Sequence, residues 1–179
     1  AALGWAAAPA SGSGCDLRVD ETRDPSSLDV RELAREVQAR GFEHRVAASH
    51  CVSLGMQTPE VQAKVAKEIA EAGIAVFPLP QTNLFLQGRD HSSATPRGLT
   101  ALGALHDAGV LVAAGADNVQ DIYNQVGRSD PLETAALLVM AGHQLTDDAY
   151  RMVSNDVREG IGLPRVDHAP GAPADLLVI

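Results

Sequence analysis

Aromatic side chains are scarce: three Phe, two Tyr and one Trp make up only 3% of the 179 residues. So few rings leave little surface for base stacking, which argues against a binder of single-stranded nucleic acid. Positive charge is in deficit as well. Fourteen Lys and Arg stand against 23 Asp and Glu, and the formal net charge of −9 repels phosphate backbones, so no nucleic-acid partner is expected. Cysteine occurs only as Cys15 and Cys51, too few for a disulfide framework and without zinc-finger spacing. A reducing compartment, the cytoplasm, is the expected setting. No apolar run approaches the ~20 residues of a membrane span, and AALGWAAA at the N-terminus lacks the basic flank of a signal peptide. Neither GxGxxG nor GxxxxGK[ST] follows any apolar run, which weakens a nucleotide-binding doubly wound fold.

What is present is an ordinary globular composition, 45% hydrophobic, in a chain long enough for one core. Its organising stretch is VLVAAGADNVQD, residues 110–121. Val110 to Ala114 is a short apolar run of the kind buried on both faces of a parallel sheet. Gly115 and Ala116 leave space, and Asp117 and Asn118 follow at the strand's end. A carboxylate there is costly unless it meets a metal, a cation or a donor.

Other segments end the same way. CDLRVDET, residues 15–22, alternates as a strand, with Leu17 and Val19 on one face and Asp16, Arg18 and Asp20 on the other. RVAASH, residues 45–50, ends in His50, and IAVFPLP, residues 74–80, is a third strand. Between them lie helical patterns. One follows Pro25-Ser26-Ser27 with Val30, Leu33, Ala34 and Val37 at core spacing, and another follows Thr58-Pro59 with Val61, Val65 and Ile69. QTNLFLQGRDHSSATPRG, residues 81–98, reads as a long polar loop in which Arg89 and His91 are lid candidates. Short helices are predicted around Leu99–Leu105, from Pro131 and from Thr146, and residues 1–8 could be helical turns. The strand–helix repeat of about thirty residues is that of βαβ units. Polar residues at successive strand ends (Asp20-Glu21, His50, Asn83, Asp117) suit a (β/α)8 barrel, in which several strands each donate one site residue.

LRVDET at 17–22, ASH at 48–50, LPQTNLFLQGRD at 79–90, GADN at 115–118 and DPLETAALLVMAGH at 130–143 together resemble the cytosine deaminase-like branch of the metal-dependent amidohydrolases. The resemblance implies an α/β fold, the C-terminal half of a (β/α)8 TIM-type barrel. It divides the chain into a partial helix and linker (1–14), the half-barrel (15–160) and a tail (161–179) carrying a strand of an accessory β-domain. It implies hydrolytic deamination of a cytosine-like N-heterocycle, with a divalent metal, Zn2+ or Fe2+, activating water. Glu21 is then similar to the family's proton shuttle and His50 to the histidine that orients the hydroxide or reaches the metal. Asp117 matches the aspartate that ligates the metal and takes the water's proton. Asn118 stands where the family contacts substrate, often with Asp.

Two departures are expected to damage that site. Arg18 occupies the place of a family histidine ligand, and a guanidinium offers no lone pair and stays protonated. Its charge near a dication about 4 Å away would cost several kcal/mol, even at an effective dielectric of about 20. The HxH pair of the family's first strand does not occur here. Impaired or lost activity is therefore expected, and a non-catalytic half-barrel that associates with a companion chain or a second copy is the alternative. An ordinary doubly wound binding domain is a third reading. A half-barrel would also expose the apolar faces of Ile74–Leu79 and Val110–Ala114.

Overall fold

The computed structural model describes residues 13–167 and 169–175, so the proposed helical turns at 1–8 and the terminal strand at 176–179 lie outside the described residues. Three parallel strands form the sheet in sequence order: β1 (Cys15–Val19), β2 (Val46–His50) and β3 (Ile74–Phe77). The register pairs Leu17 with Ala48 and Ala48 with Val76, which puts Val19, Val46, Ile74 and Val76 on one face. Helices α1 (Asp29–Ala39) and α3 (Pro59–Glu71) cover that face with Val30, Leu33, Val37, Val65 and Ile69. Two short helices interrupt the simple alternation, α2 (Val52–Gly55) after β2 and α4 (Pro80–Leu86) after β3. Beyond them come α5 (Leu102–Asp107), α6 (Pro131–Met140), α7 (Thr146–Met152) and α8 (Asn155–Gly160). Sequential parallel order with the helices on the outer face is the arrangement of a barrel segment, and a doubly wound sheet is excluded.

Several expectations need correction. Residues 81–98 are not one loop: Pro80 occupies the first helical position and α4 runs to Leu86 before the loop begins. Residues 110–115 lie along β3, with Val76 N–H donating to Leu111 O (2.9 Å) and Ala113 N–H to Val76 O (3.0 Å). The pairing reduces to one bridge, Val76 to Val112, so no full fourth strand forms. Its far side is met instead by the end of α7, where Met152 O accepts from Ala114 N–H at 2.7 Å. The apolar faces at 74–76 and 110–114 are also covered: Ile74, Ala75, Val76, Val110, Val112, Ala113 and Ala114 are all buried. α3 and α5 close the outer side, and Gly160 of α8 sits so near Phe77 that an added Cβ would lie 2.6 Å from Cζ of its ring. Among the described residues no helix is long and apolar enough to cross a membrane.

Asp20 departs from the strand alternation that grouped it with Asp16 and Arg18. Its backbone turns left-handed (φ 54°) and its carboxylate swings under α1. There it accepts from Asp29 N–H (2.8 Å), Val30 N–H (3.0 Å) and the Ser27 hydroxyl (3.2 Å). It caps the helix N-terminus, satisfying donors that have no partner within the helix.

Candidate active site

The inner face of the sheet carries Asp16 and Arg18 from β1, Ser49 from β2 and Phe77 from β3. With His50 and Asp117 they line a cleft of about 370 Å3. A larger hollow, about 560 Å3, lies at the opposite end of the strands by Gly14, His44 and Gly160, and contains none of Glu21, His50 or Asp117. The smaller cleft, which holds His50 and Asp117, is the candidate site, at the C-terminal strand ends where parallel α/β folds place their chemistry.

Backbone turns aim the polar groups. His50 (φ 69°) and Asp117 (φ 66°) both adopt the left-handed region, as does Cys51 (φ 49°). For residues with a Cβ this is sparsely populated and held only where surrounding structure enforces it. The turn takes His50 out of the outward parity it would inherit from Val46 and Ala48 and brings it to the cleft. Cys51 packs instead in the core, fully buried, where burial raises its thiol pKa and removes it as a nucleophile.

Glu21, His50 and Asp117 converge, each offering a donor atom within 4.8 Å of the others'. His50 is 1% exposed and lies between the two acids. Its Nδ1 is 3.8 Å from Glu21 Oε1 and its Nε2 is 3.9 Å from Asp117 Oδ2. The Asp117 main chain is open to solvent, but its carboxylate side is only 17% exposed. Arg18 faces the same cleft and donates from Nε to Glu21 Oε2 at 2.7 Å. Asn118 is less free than a substrate-contacting residue would be: its Nδ2 donates to Asp121 Oδ2 at 2.6 Å.

Of a further layer only Asn83 was singled out from sequence, and as a strand end; β3 stops at Phe77 and Asn83 stands instead on α4. The first turn of α4 is buried and polar, and each of its residues holds a different segment. Gln81 donates to Glu133 at 2.8 Å. The Thr82 hydroxyl accepts from Asn118 N–H (2.9 Å) and donates to Ala116 O (3.2 Å), clamping the two peptides that flank Asp117. Asn83 Oδ1 lies 3.1 Å from His50 Nδ1. Pro80 was the available signal, since proline favours a first helical position and so places the next three residues on an N-terminal turn. Arg89 and His91, the lid candidates, do not line the cleft, and Arg89 donates to Phe85 O and stacks on the Phe85 ring.

Comparison with known proteins agrees with this geometry. The profile of the amidohydrolase family matches residues 6–179. The chain belongs to that family. It is 39% identical to a pterin deaminase of Rhizobium rhizogenes, over 96% of this chain and 40% of the relative. In three dimensions it is similar to the 5-methylcytosine deaminase of Klebsiella pneumoniae liganded with 5-fluorocytosine, at a TM-score of 0.79 and 28% identity. That match covers 87% of this chain and 38% of the other. It is also similar to the N-isopropylammelide isopropylaminohydrolase of Burkholderia multivorans, at a TM-score of 0.72 and 26% identity, over 88% and 38%. The chain thus spans about two fifths of the length of these relatives. The resemblance to the cytosine deaminase-like branch is borne out, and the amidohydrolase chain has the fold of half a (β/α)8 barrel.

Proposed function

We propose that this chain carries the acid–base half of an aminohydrolase site that removes an exocyclic amino group from a planar N-heterocycle. The convergence of Glu21, His50 and Asp117 at the strand ends is the observation that carries the proposal. In this reading water attacks the ring carbon bearing the amino group, the exocyclic C–N bond breaks and ammonia leaves. Asp117, with His50 Nε2 beside it, takes the water's proton, and Glu21 passes a proton to the ring nitrogen and the departing amine. Phe77 offers an apolar wall for the ring.

The donor set fits a divalent ion: one imidazole nitrogen and carboxylate oxygens within 4.8 Å of one another are ligand types that Zn2+ and Fe2+ accept. His50 Nε2 and Asp117 would hold it. Such an ion, when bound, makes water acidic enough to be a nucleophile near neutral pH. A catalytic site of this type uses about three protein ligands plus water, so the site is completed from residues beyond this pair. Pterin and cytosine-like rings are the substrate classes that the named relatives suggest, and a cytoplasmic setting accords with the two free cysteines.

A second reading has its own observation. Arg18 sits on Glu21 and occupies one oxygen of the proposed shuttle, which favours a non-catalytic half-barrel that associates through the outer edge of β1, unpaired among the described residues. The two readings separate in an ammonia-release assay with pterin and cytosine, run on the native chain and on Arg18→His, each supplied with Zn2+ or Fe2+. Release that disappears in Glu21→Gln supports the first. No release from either protein, with a sedimentation coefficient that rises with concentration, supports the second.

A further inference from the structure

We infer that Asn83 is a positioning residue that fixes the tautomer of His50, so that Nε2 faces Asp117 as a lone pair and not as an N–H. The inference rests on the proposed reading of the site. Asn83 is 0% exposed and its Oδ1 lies 3.1 Å from His50 Nδ1. With the amide oriented as the structure has it, Oδ1 toward the ring and Nδ2 without a partner, the oxygen only accepts and Nδ1 carries the proton. Glu21 Oε1, 3.8 Å from the same nitrogen, is a second acceptor on that side and reinforces the assignment. A neutral imidazole has a single ring proton, and with Nδ1 protonated, Nε2 is left bare.

The consequence falls on the other side of the ring. Bare Nε2 and Asp117 Oδ2 confront each other at 3.9 Å, two acceptors with no proton between them. Such a pair is bridged by a water that donates a hydrogen bond to each, or by a divalent ion that accepts a lone pair from each. The opposite tautomer would point Nε2–H at Asp117, and a closure of the 3.9 Å gap to hydrogen-bond distance would satisfy the pair from within and close the position. Asn83 therefore keeps the site receptive. The placement is rigid. Asn83 sits on the buried first turn of α4, whose neighbour Thr82 clamps the peptides around Asp117, so adjacent residues on one turn set both members of the pair. An amide suits this task better than a carboxylate would, because it orients the ring without adding a third negative charge beside Glu21 and Asp117.

The test is long-range 1H–15N correlation NMR of the native chain, free of metal, at about pH 8, above the ordinary imidazole range. An Nδ1–H pattern for His50 is expected. Asn83→Asp, which can only accept from a neutral ring, should keep that pattern, and Asn83→Leu should lose it in favour of a mixture or Nε2–H. An Nε2–H pattern in the native chain overturns the inference, whatever the variants do. In the Arg18→His background, Asn83→Leu should also weaken Zn2+ about 10- to 100-fold. The Thr58→Ala variant, remote from the cleft, controls for general loosening and should leave the affinity unchanged. Failure of the deamination reading looks different: ammonia release would be absent while the His50 pattern remained Nδ1–H.

Discussion

Arg18, which lines the cleft from β1, donates from Nε to Glu21 Oε2 at 2.7 Å and forms an ion pair with it just past the strand's end. A histidine at position 18 could lend a lone pair to a cation. A guanidinium instead supplies the positive charge itself and holds the carboxylate that the proposed function casts as the proton carrier.

Arg18→His should therefore admit metal that the native chain resists. At an effective dielectric of about 20, removing a unit charge about 4 Å from a dication is worth several kcal/mol, of which side-chain motion and solvent take a large share. A gain of at least about tenfold in Zn2+ affinity is expected, read by competition with a chelating dye. Equal affinity in the two proteins would show that Arg18 already swings clear.

Asp20→Ala should destabilise the fold without touching the cleft chemistry. Three donors at the start of α1 lose their acceptor, two of them main-chain N–H groups with few alternatives. A loss of about 1–3 kcal/mol is expected from the denaturant midpoint. Metal affinity measured in the Arg18→His background should stay within about twofold. A larger drop would place Asp20 in the site after all.

Thr82→Val keeps the volume of Thr82 and removes the hydroxyl that joins Asn118 N–H to Ala116 O. Amide exchange at Asn118 should accelerate by about tenfold or more, because its donor loses a buried acceptor. Thr82→Ser should restore protection. Unchanged exchange in Thr82→Val would mean that the Asp117 turn is held by other bonds.

The bidentate pair between Arg31 on α1 and Glu68 on α3 gives a pH signature. The hydrogen bond from Arg31 lowers the carboxyl pKa of Glu68 below its usual value. Its contribution to stability is then fully present above the unfolded carboxyl range, near pH 4.3, and fades as pH falls through the lowered folded value. Thermal melts of the native chain and Glu68→Gln should differ at pH 7 and converge toward pH 3. A constant difference across that range would rule the pair out as the cause.

The strands were legible because their outward residues alternate and their registers keep that alternation, as in Leu17, Ala48 and Val76. His50 and Asp117 were legible because a polar group directly after a buried apolar run has few other uses. Asp20 was misread for a physical reason: period-two reasoning assumes extended backbone, and the chain turns left-handed at that residue. α4 escaped detection because helical periodicity looks for an apolar stripe. Gln81, Thr82 and Asn83 are buried for their hydrogen bonds, so the turn that organises the site looked like loop composition. The 110–115 segment had the composition of a strand but, among the described residues, meets β3 on one side and the end of α7 on the other.

On the proposed function, the left-handed turns at His50 and Asp117 set folding and chemistry against each other. An ordinary side chain in that region costs on the order of 1 kcal/mol, and glycine escapes the cost. In a library selected only for survival against protease, Asp117→Gly should be enriched, its carboxylate being dispensable to the fold and its backbone relieved. Selected for turnover, the same variant should vanish. The ratio of the two enrichments at each left-handed position is then a map, drawn without any substrate pose, of where this lineage has retained strain for the sake of reactivity.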